Sequence, residues 1–227
     1  MKITLKSLMV SLAVLIFSFT AVAEKRTAVI MSKDGRTVFA KNPSKVRIPY
    51  VDDDAGLTVI YSNLASKHPK GLYFALEGET INGPNGYLGT EQWDAVPFTP
   101  ANSGTVTKIQ VPIGYIYSVT STDVIVSLNA DSNGLPGDPL QTWIVPINKA
   151  DVAGSCCAVY VEKGSIPMTG GQQYWVVVST ESDSDMGAEW NVNDTDELDQ
   201  VTNAYYDGTG WYTYQTTNGA AVGVFGH

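Results

Sequence analysis

The chain has 227 residues, 44% of them hydrophobic and 10% aromatic, with 23 Asp and Glu against 14 Lys and Arg. A net charge of −9 repels phosphate backbones and anionic lipid, so nucleic-acid binding is not expected. The two Cys are adjacent and two thiols alone do not make a structural zinc site, and with only two His, neither in a rigid setting, His-centred catalysis is disfavoured.

The first element has the layout of a secretory signal peptide. Lys2 and Lys6 form a basic start, Leu8 to Phe19 an apolar run, and Ala21-Val22-Ala23 an A-x-A cleavage signal. The apolar run is too short for a comfortable membrane span, and no later segment approaches one. No Cys follows the cleavage signal, so a lipid anchor is not expected. Residues 1–23 are read as the signal peptide and the mature protein as secreted, either periplasmic or extracellular. Residues 24–56 then form a basic extension. Lys25, Arg26, Lys33, Arg36, Lys41, Lys45 and Arg47 meet only Glu24 and Asp34 before Ile48, whereas the rest of the chain is strongly acidic. That asymmetry suits either a solvated edge hairpin or an arm that engages an acidic neighbour, including a second copy of the chain.

After the cleavage site the sequence is a series of short apolar or alternating runs. TAVIM and RTVFAK flank Asp34-Gly35, a strong hairpin signal. LTVIY, LYFAL and WDAVPF follow. TVTKIQVPI alternates, with Thr107, Ile109, Val111 and Ile113 facing one way and Lys108 and Gln110 the other. DVIVSLN places Val124, Val126 and Leu128 opposite Asp123, Ser127 and Asn129. LQTWIVPI, CAVYVE, YWVVVST, AEWNV, NAYYD, WYTYQ and AVGVF complete the series, with Trp143 and Trp175 read as core residues. No helical period is sustained over three or four turns, and the hint near Val201 to Tyr205 is too short to count. The pattern predicts an all-β chain, an antiparallel β-sandwich of jelly-roll type over residues 57–227.

Between two of these strands lies LNADSNGLPGDPLQTW, where Asp131, Asn133 and Asp138 surround Gly134, Pro136 and Gly137. It begins like a calcium loop but departs from the EF-hand pattern, since Gly134 comes too early and no Glu closes it. Asn133-Gly134 tolerates positive φ and Pro136-Gly137 suits a type II turn, so the stretch reads as a long hairpin connection. Calcium fits the acidic loops ESDSDMGAE and NDTDELD better, with Asp183, Asp185, Asp194 and Asp196 as hard oxygen ligands. Cys156 and Cys157 are adjacent. They are either a strained vicinal disulfide, which export permits, or two thiols on alternate faces of a strand.

His68 lies in a polar turn and His227 is terminal, so a nucleophile–imidazole pair is not expected. A glycosidase needs only two carboxyls across a cleft, for which Glu77, Glu79, Glu91, Asp94 and Glu189 lie in or beside strands. Aromatics are the richer resource, at five Trp and twelve Tyr. In NAYYDGTGWYTYQTTN, Tyr205, Tyr206, Trp211 and Tyr212 crowd one turn. Flat rings that stack on pyranose faces make these the candidate ligand-binding residues, although alternate rings must point to opposite faces.

The order AVPFTPANSGTVTKIQVPI, VIVSLNADSNGLPGDPL, IPMTGGQQYWVVV, Trp190 and GWYTYQ…AVGVF resembles the choice-of-anchor R domain, a secreted or surface-exposed bacterial β-sandwich. The resemblance spans about Leu57 to Phe225 and implies a fold and a place, not a reaction. Members commonly end in an anchor. Here Val224-Phe225-Gly226-His227 carries no apolar tail, which implies release or attachment through a partner. The expectation is a non-enzymatic exported module that binds carbohydrate, with calcium bracing its acidic loops and no other cofactor. A self-assembling surface-matrix protein is the alternative, and a carboxylate-based glycoside hydrolase the second alternative.

Overall fold

Strands form wherever the sequence alternates. The computed structural model describes residues 29–31, 37–39, 46–47, 56–63, 72–150, 159–193, 201–216 and 219–227. Among them there are sixteen strands and no helix. In chain order these are β1 (Val29–Met31), β2 (Thr37–Phe39), β3 (Val46–Arg47), β4 (Thr58–Ser62), β5 (Leu72–Asn82), β6 (Trp93–Phe98), β7 (Gly104–Val111) and β8 (Ile113–Tyr117). They continue as β9 (Asp123–Asp131), β10 (Pro136–Pro146), β11 (Val159–Met168), β12 (Tyr174–Ser179), β13 (Gly187–Asn193), β14 (Val201–Tyr206), β15 (Trp211–Thr216) and β16 (Gly223–Gly226). All pairings between them are antiparallel. Among the described residues no helix is long and apolar enough to cross a membrane.

A six-stranded sheet has the order β10-β9-β12-β6-β14-β15, and two four-stranded sheets have the orders β11-β7-β16-β4 and β3-β5-β13-β8. β1 and β2 pair as the Asp34-Gly35 hairpin signal requires. β3 pairs with β5 through Val46 and Arg47, so the basic extension contributes a strand to one of the sheets.

One buried cluster draws on all three larger sheets. Val96, Phe98, Val126, Leu128, Val176 and Val178 enter it from the six-stranded sheet, and Val106, Ile109, Val224, Ile81, Ile113 and Trp190 from the two smaller ones. Each such aliphatic or Phe side chain is worth about 1.5–3 kcal/mol when fully buried. The arrangement is a β-sandwich-like all-β fold, with facing sheets sharing one core. Trp190 satisfies its indole N–H on the Ala221 carbonyl at 2.8 Å, so its burial leaves no orphan donor.

Alternation places the DVIVSLN residues as expected: Val124, Val126 and Leu128 are core, while Ser127 and Asn129 lie on the other face. One expectation, the facing of Thr107, fails for an identifiable reason. Thr107 does not share the core face with Ile109, because a register shift opposite Phe225 and Gly226 brings Val106 inward instead. Ile113 is core but starts a strand of a different sheet. The Val201–Tyr205 stretch is strand β14, in line with the NAYYD run, and is paired on both sides.

The Asp131–Pro136 connection is shorter than its sequence suggests. Ser132 and Leu135 exchange backbone hydrogen bonds at 2.8 and 3.3 Å, and Asn133 and Gly134 both have positive φ, at 57° and 82°. That is a two-residue turn whose twist matches the flanking strands. Pro136 and Pro139 already belong to β10, and the spare residues become register shifts in its pairing with β9.

Candidate ligand-binding site

The β14–β15 hairpin carries the tyrosine-rich run, and strand alternation divides it. Tyr206 pairs with Trp211 and with Trp93 of β6, which puts these three rings on one face of the six-stranded sheet. Tyr205 pairs with Tyr212 and with Asp94, and therefore points to the opposite face. Asp94 alternates with the core residues Val96 and Phe98, so Tyr205 and Tyr212 lie on the core side and Tyr206 and Trp211 on the outer side. The four candidate residues thus form two pairs back to back.

On the outer face, Trp93 and Tyr206 stack with centroids 4.5 Å apart and planes 20° from parallel. Trp211 leans against both, at 5.6 Å from Tyr206 and 6.4 Å from Trp93. All three rings are half-buried. Trp93 donates its indole N–H to Thr180 Oγ1 at 3.3 Å. Beneath Trp211 lies a second, smaller apolar cluster of Ala95, Trp175, Val177 and Ala204. Trp175, expected in the core, is buried in this outer cluster, because its strand partner Pro97 and its neighbour Val177 share that face. Trp143 does pack against the core.

The rest of this face carries hydroxyl and carboxamide groups, with Ile125 and Ile144 toward the β10 edge. Ser127, Asn129, Ser179, Thr142, Thr202, Thr213 and Gln215 occupy its register positions. Asp123 and Asp131 mark the ends of β9, and Asp131 is already engaged. It accepts from the Trp175 indole at 2.8 Å, from Gln173 at 2.9 Å and from the Gly134 amide at 3.1 Å. Burial pushes its carboxyl up, but these donors outweigh that and hold it below its ordinary value. Asp131 therefore ties the Asn-Gly turn to Trp175. Glu91, two residues before Trp93, sits beside the turn at Gly208, and burial raises its carboxyl. The turn is closed by Asp207, which accepts from the Thr209 amide and hydroxyl at 2.9 and 2.6 Å and from the Gly210 amide at 3.2 Å.

On the inner side, Tyr205 meets Tyr212 at 5.5 Å and Tyr214 at 5.9 Å. Tyr214 donates to Asp94 Oδ2 at 3.0 Å, and Asn203 donates to the Tyr214 hydroxyl at 3.4 Å. Glu79 of β5 faces the same interior, since it pairs with the buried Trp190, and its carboxyl also reaches the Tyr214 hydroxyl. Asp94 is 1% exposed, and its carboxyl is pushed well above the ordinary value by burial and by the charge of Glu79, partly offset by bonds from Tyr214 and the Ala95 amide. Burial and the same two carboxylates raise the Tyr214 hydroxyl.

Of the candidate carboxylates, Glu79 and Asp94 are therefore neighbours across the layers. Glu189 lies on the opposite face of β13, beside Tyr87 and Gly78. The Glu77 side chain lies outside the described residues. The acidic-loop candidates do not gather in the described part. Asp185 accepts three backbone N–H bonds from Val119, Thr120 and Ser121 at 2.7, 2.9 and 2.7 Å, so it braces the β8–β9 loop. Burial pushes it up, but these bonds together with the Ser121 hydroxyl outweigh that and bring it far below its ordinary value. Asp183 is exposed, with its carbonyl accepting from Asn85 at 3.0 Å. Asp194, Asp196, Cys156 and Cys157 lie outside the described residues. Among the described residues no group of three or more His, Cys, Asp or Glu is placed to hold a metal ion.

No family model matches the chain, and no curated protein matches it. The site's chemistry has to be read from its own residues. Sequence reasoning found Tyr206 and Trp211 but missed Trp93, whose partner strand is remote in the chain. The single cue was local: in WDAVPF, Trp93 must face away from Asp94.

Proposed function

We propose that this is an exported, non-catalytic β-sandwich module that binds carbohydrate on the outer face of its six-stranded sheet. The observation that carries the reading is the Trp93–Tyr206–Trp211 group, half-buried and turned away from the sandwich core. Sugars present apolar C–H faces edged with hydroxyls, and rings flanked by hydroxyls, carboxamides and one carboxylate suit both. Thr202, Gln215 and Glu91 supply that polar edge. Tyr205 and Tyr212 are not part of this face. The near-complete burial of Asp94 favours binding over hydrolysis, because a glycosidase acid must reach the glycosidic oxygen. Export rests on the signal-peptide pattern of residues 1–23, and the jelly-roll class and the choice-of-anchor R resemblance belong to the same reading.

The test is retention of the purified protein on insoluble polysaccharides, together with a glycan array. Selective retention that is lost on Trp211→Ala or Trp93→Ala supports the proposal. No retention on any glycan, or retention unchanged in both variants, contradicts it.

Self-assembly is the second reading, and Ile144 favours it. This residue is 63% exposed on the outer face of the edge strand β10. It predicts oligomers that grow with concentration and are lost on Ile144→Lys, as read by light scattering.

A further inference from the structure

The carboxylates around the outer face differ in how they are satisfied. Asp131 accepts from Trp175, Gln173 and the Gly134 amide, and Asp207 from Thr209 and the Gly210 amide. Asp123 accepts from the Thr122 hydroxyl at 3.0 Å. Among the described residues the Glu91 carboxyl makes no hydrogen bond or ion pair, and burial raises it with no donor to offset the rise. Register places Glu91 beside the rings. β6 and β14 pair Trp93 with Tyr206, and the same register carried two residues on sets Glu91 opposite Gly208. A Cβ on Gly208 would lie 3.6 Å from Glu91 Cβ, so the two positions adjoin and Gly208 covers the acid with no side chain. Two residues before Trp93, Glu91 shares its outer face. Thr209 reaches the other way, to Asp207 and to the Tyr212 hydroxyl on the inner side.

Resting on the glycan reading above, we propose that the ligand is a polysaccharide bearing free amino groups, with an ammonium paired to Glu91 and sugar rings on Trp93, Tyr206 and Trp211. An ammonium brings the charged donors that Glu91 lacks, and indole faces attract a cation beside them. The polar side chains that β14 and β15 turn to this face, Thr202, Thr213 and Gln215, are uncharged. Glu91 is therefore the group that tells an amine from a hydroxyl or an acetamide at the same sugar position. Uronate and sulfated glycans meet this acid and a chain of net charge −9, and are repelled.

Calorimetric titration of the purified protein with chitosan oligosaccharides, and with the same oligosaccharides N-acetylated, tests it at physiological salt. The amine-bearing form is expected to bind about tenfold tighter. Glu91→Gln should shrink that preference to about twofold or less, and Trp93→Ala/Trp211→Ala should weaken both forms. Equal or tighter binding of the acetylated form, or of another glycan alone, overturns the proposal and leaves the glycan reading standing. A preference that survives Glu91→Gln also overturns it. So does chitosan binding unchanged in the ring variant, which would be attraction to the overall negative charge. Failure to bind any glycan overturns both readings.

Discussion

On the outer side of the β14–β15 hairpin, Tyr206 and Trp211 meet Trp93 among neutral hydroxyl and amide side chains. On its inner side, Tyr205 packs against Tyr212 and Tyr214, and Tyr214 meets two carboxyls. Adjacent residues of one aromatic run thus have opposite surroundings. The outer rings stack on one another and keep part of their surface exposed. Of the inner rings, Tyr214 spends its hydroxyl on Asp94, while Tyr212 is 46% exposed at the sheet edge. The two sides should therefore separate under mutation, the inner one answering in stability and the outer one in binding.

The largest effect is expected beneath the outer rings rather than in them. Trp175→Ala removes a buried indole and its bond to Asp131, and should cost about 3–5 kcal/mol in urea unfolding. A loss under 1 kcal/mol would show that the second apolar cluster does not hold the face together. Next comes Tyr214→Phe, which leaves Asp94 Oδ2 without its side-chain donor and should cost about 1–3 kcal/mol. Its glycan retention should match that of the wild type, and lost retention with intact stability would erase the distinction between the two sides.

Much of this division was legible in the sequence, and the rest was not, for physical reasons. Period-two alternation sends Tyr205 and Tyr206 to opposite faces in any strand, and Asn133-Gly134 accepts the positive φ its turn demands. What alternation cannot supply is the partner across the sheet. Trp93 joins Tyr206, and Asp94 joins Tyr214 across 120 residues of chain, only through the β6–β14 pairing and the order of strands around it. The missed Trp93 and the Glu79–Asp94 pair both belong to that long-range class. Asp185 shows a different limit: counting carboxylates does not reveal which of them are engaged by backbone amides.

Smaller effects sharpen the account at its edges. Gly134 has φ of 82°, a region that costs an L-residue about 1–2 kcal/mol, so Gly134→Ala should lower stability by about that amount and leave glycan retention unchanged. Acid gives the last test. The carboxyls of Asp131 and Asp185 are held below their ordinary values in the folded protein. Their contribution is therefore fully present above about pH 4, the unfolded carboxylate range, and is lost as pH falls through their folded values. Urea midpoints should fall on the acid side of that range, and less steeply in Asp185→Asn. An identical acid slope in that variant would remove Asp185 from the account.

The most direct measurement is a comparison of dissociation constants for a retained glycan across two double variants, one for each side of the hairpin. Trp93→Ala/Trp211→Ala should weaken binding by at least about tenfold, or ~1.4 kcal/mol, while Tyr205→Ala/Tyr212→Ala should stay within about twofold of the wild type. Equal losses in both, or a larger loss on the inner side, would contradict the assignment of binding to the outer face.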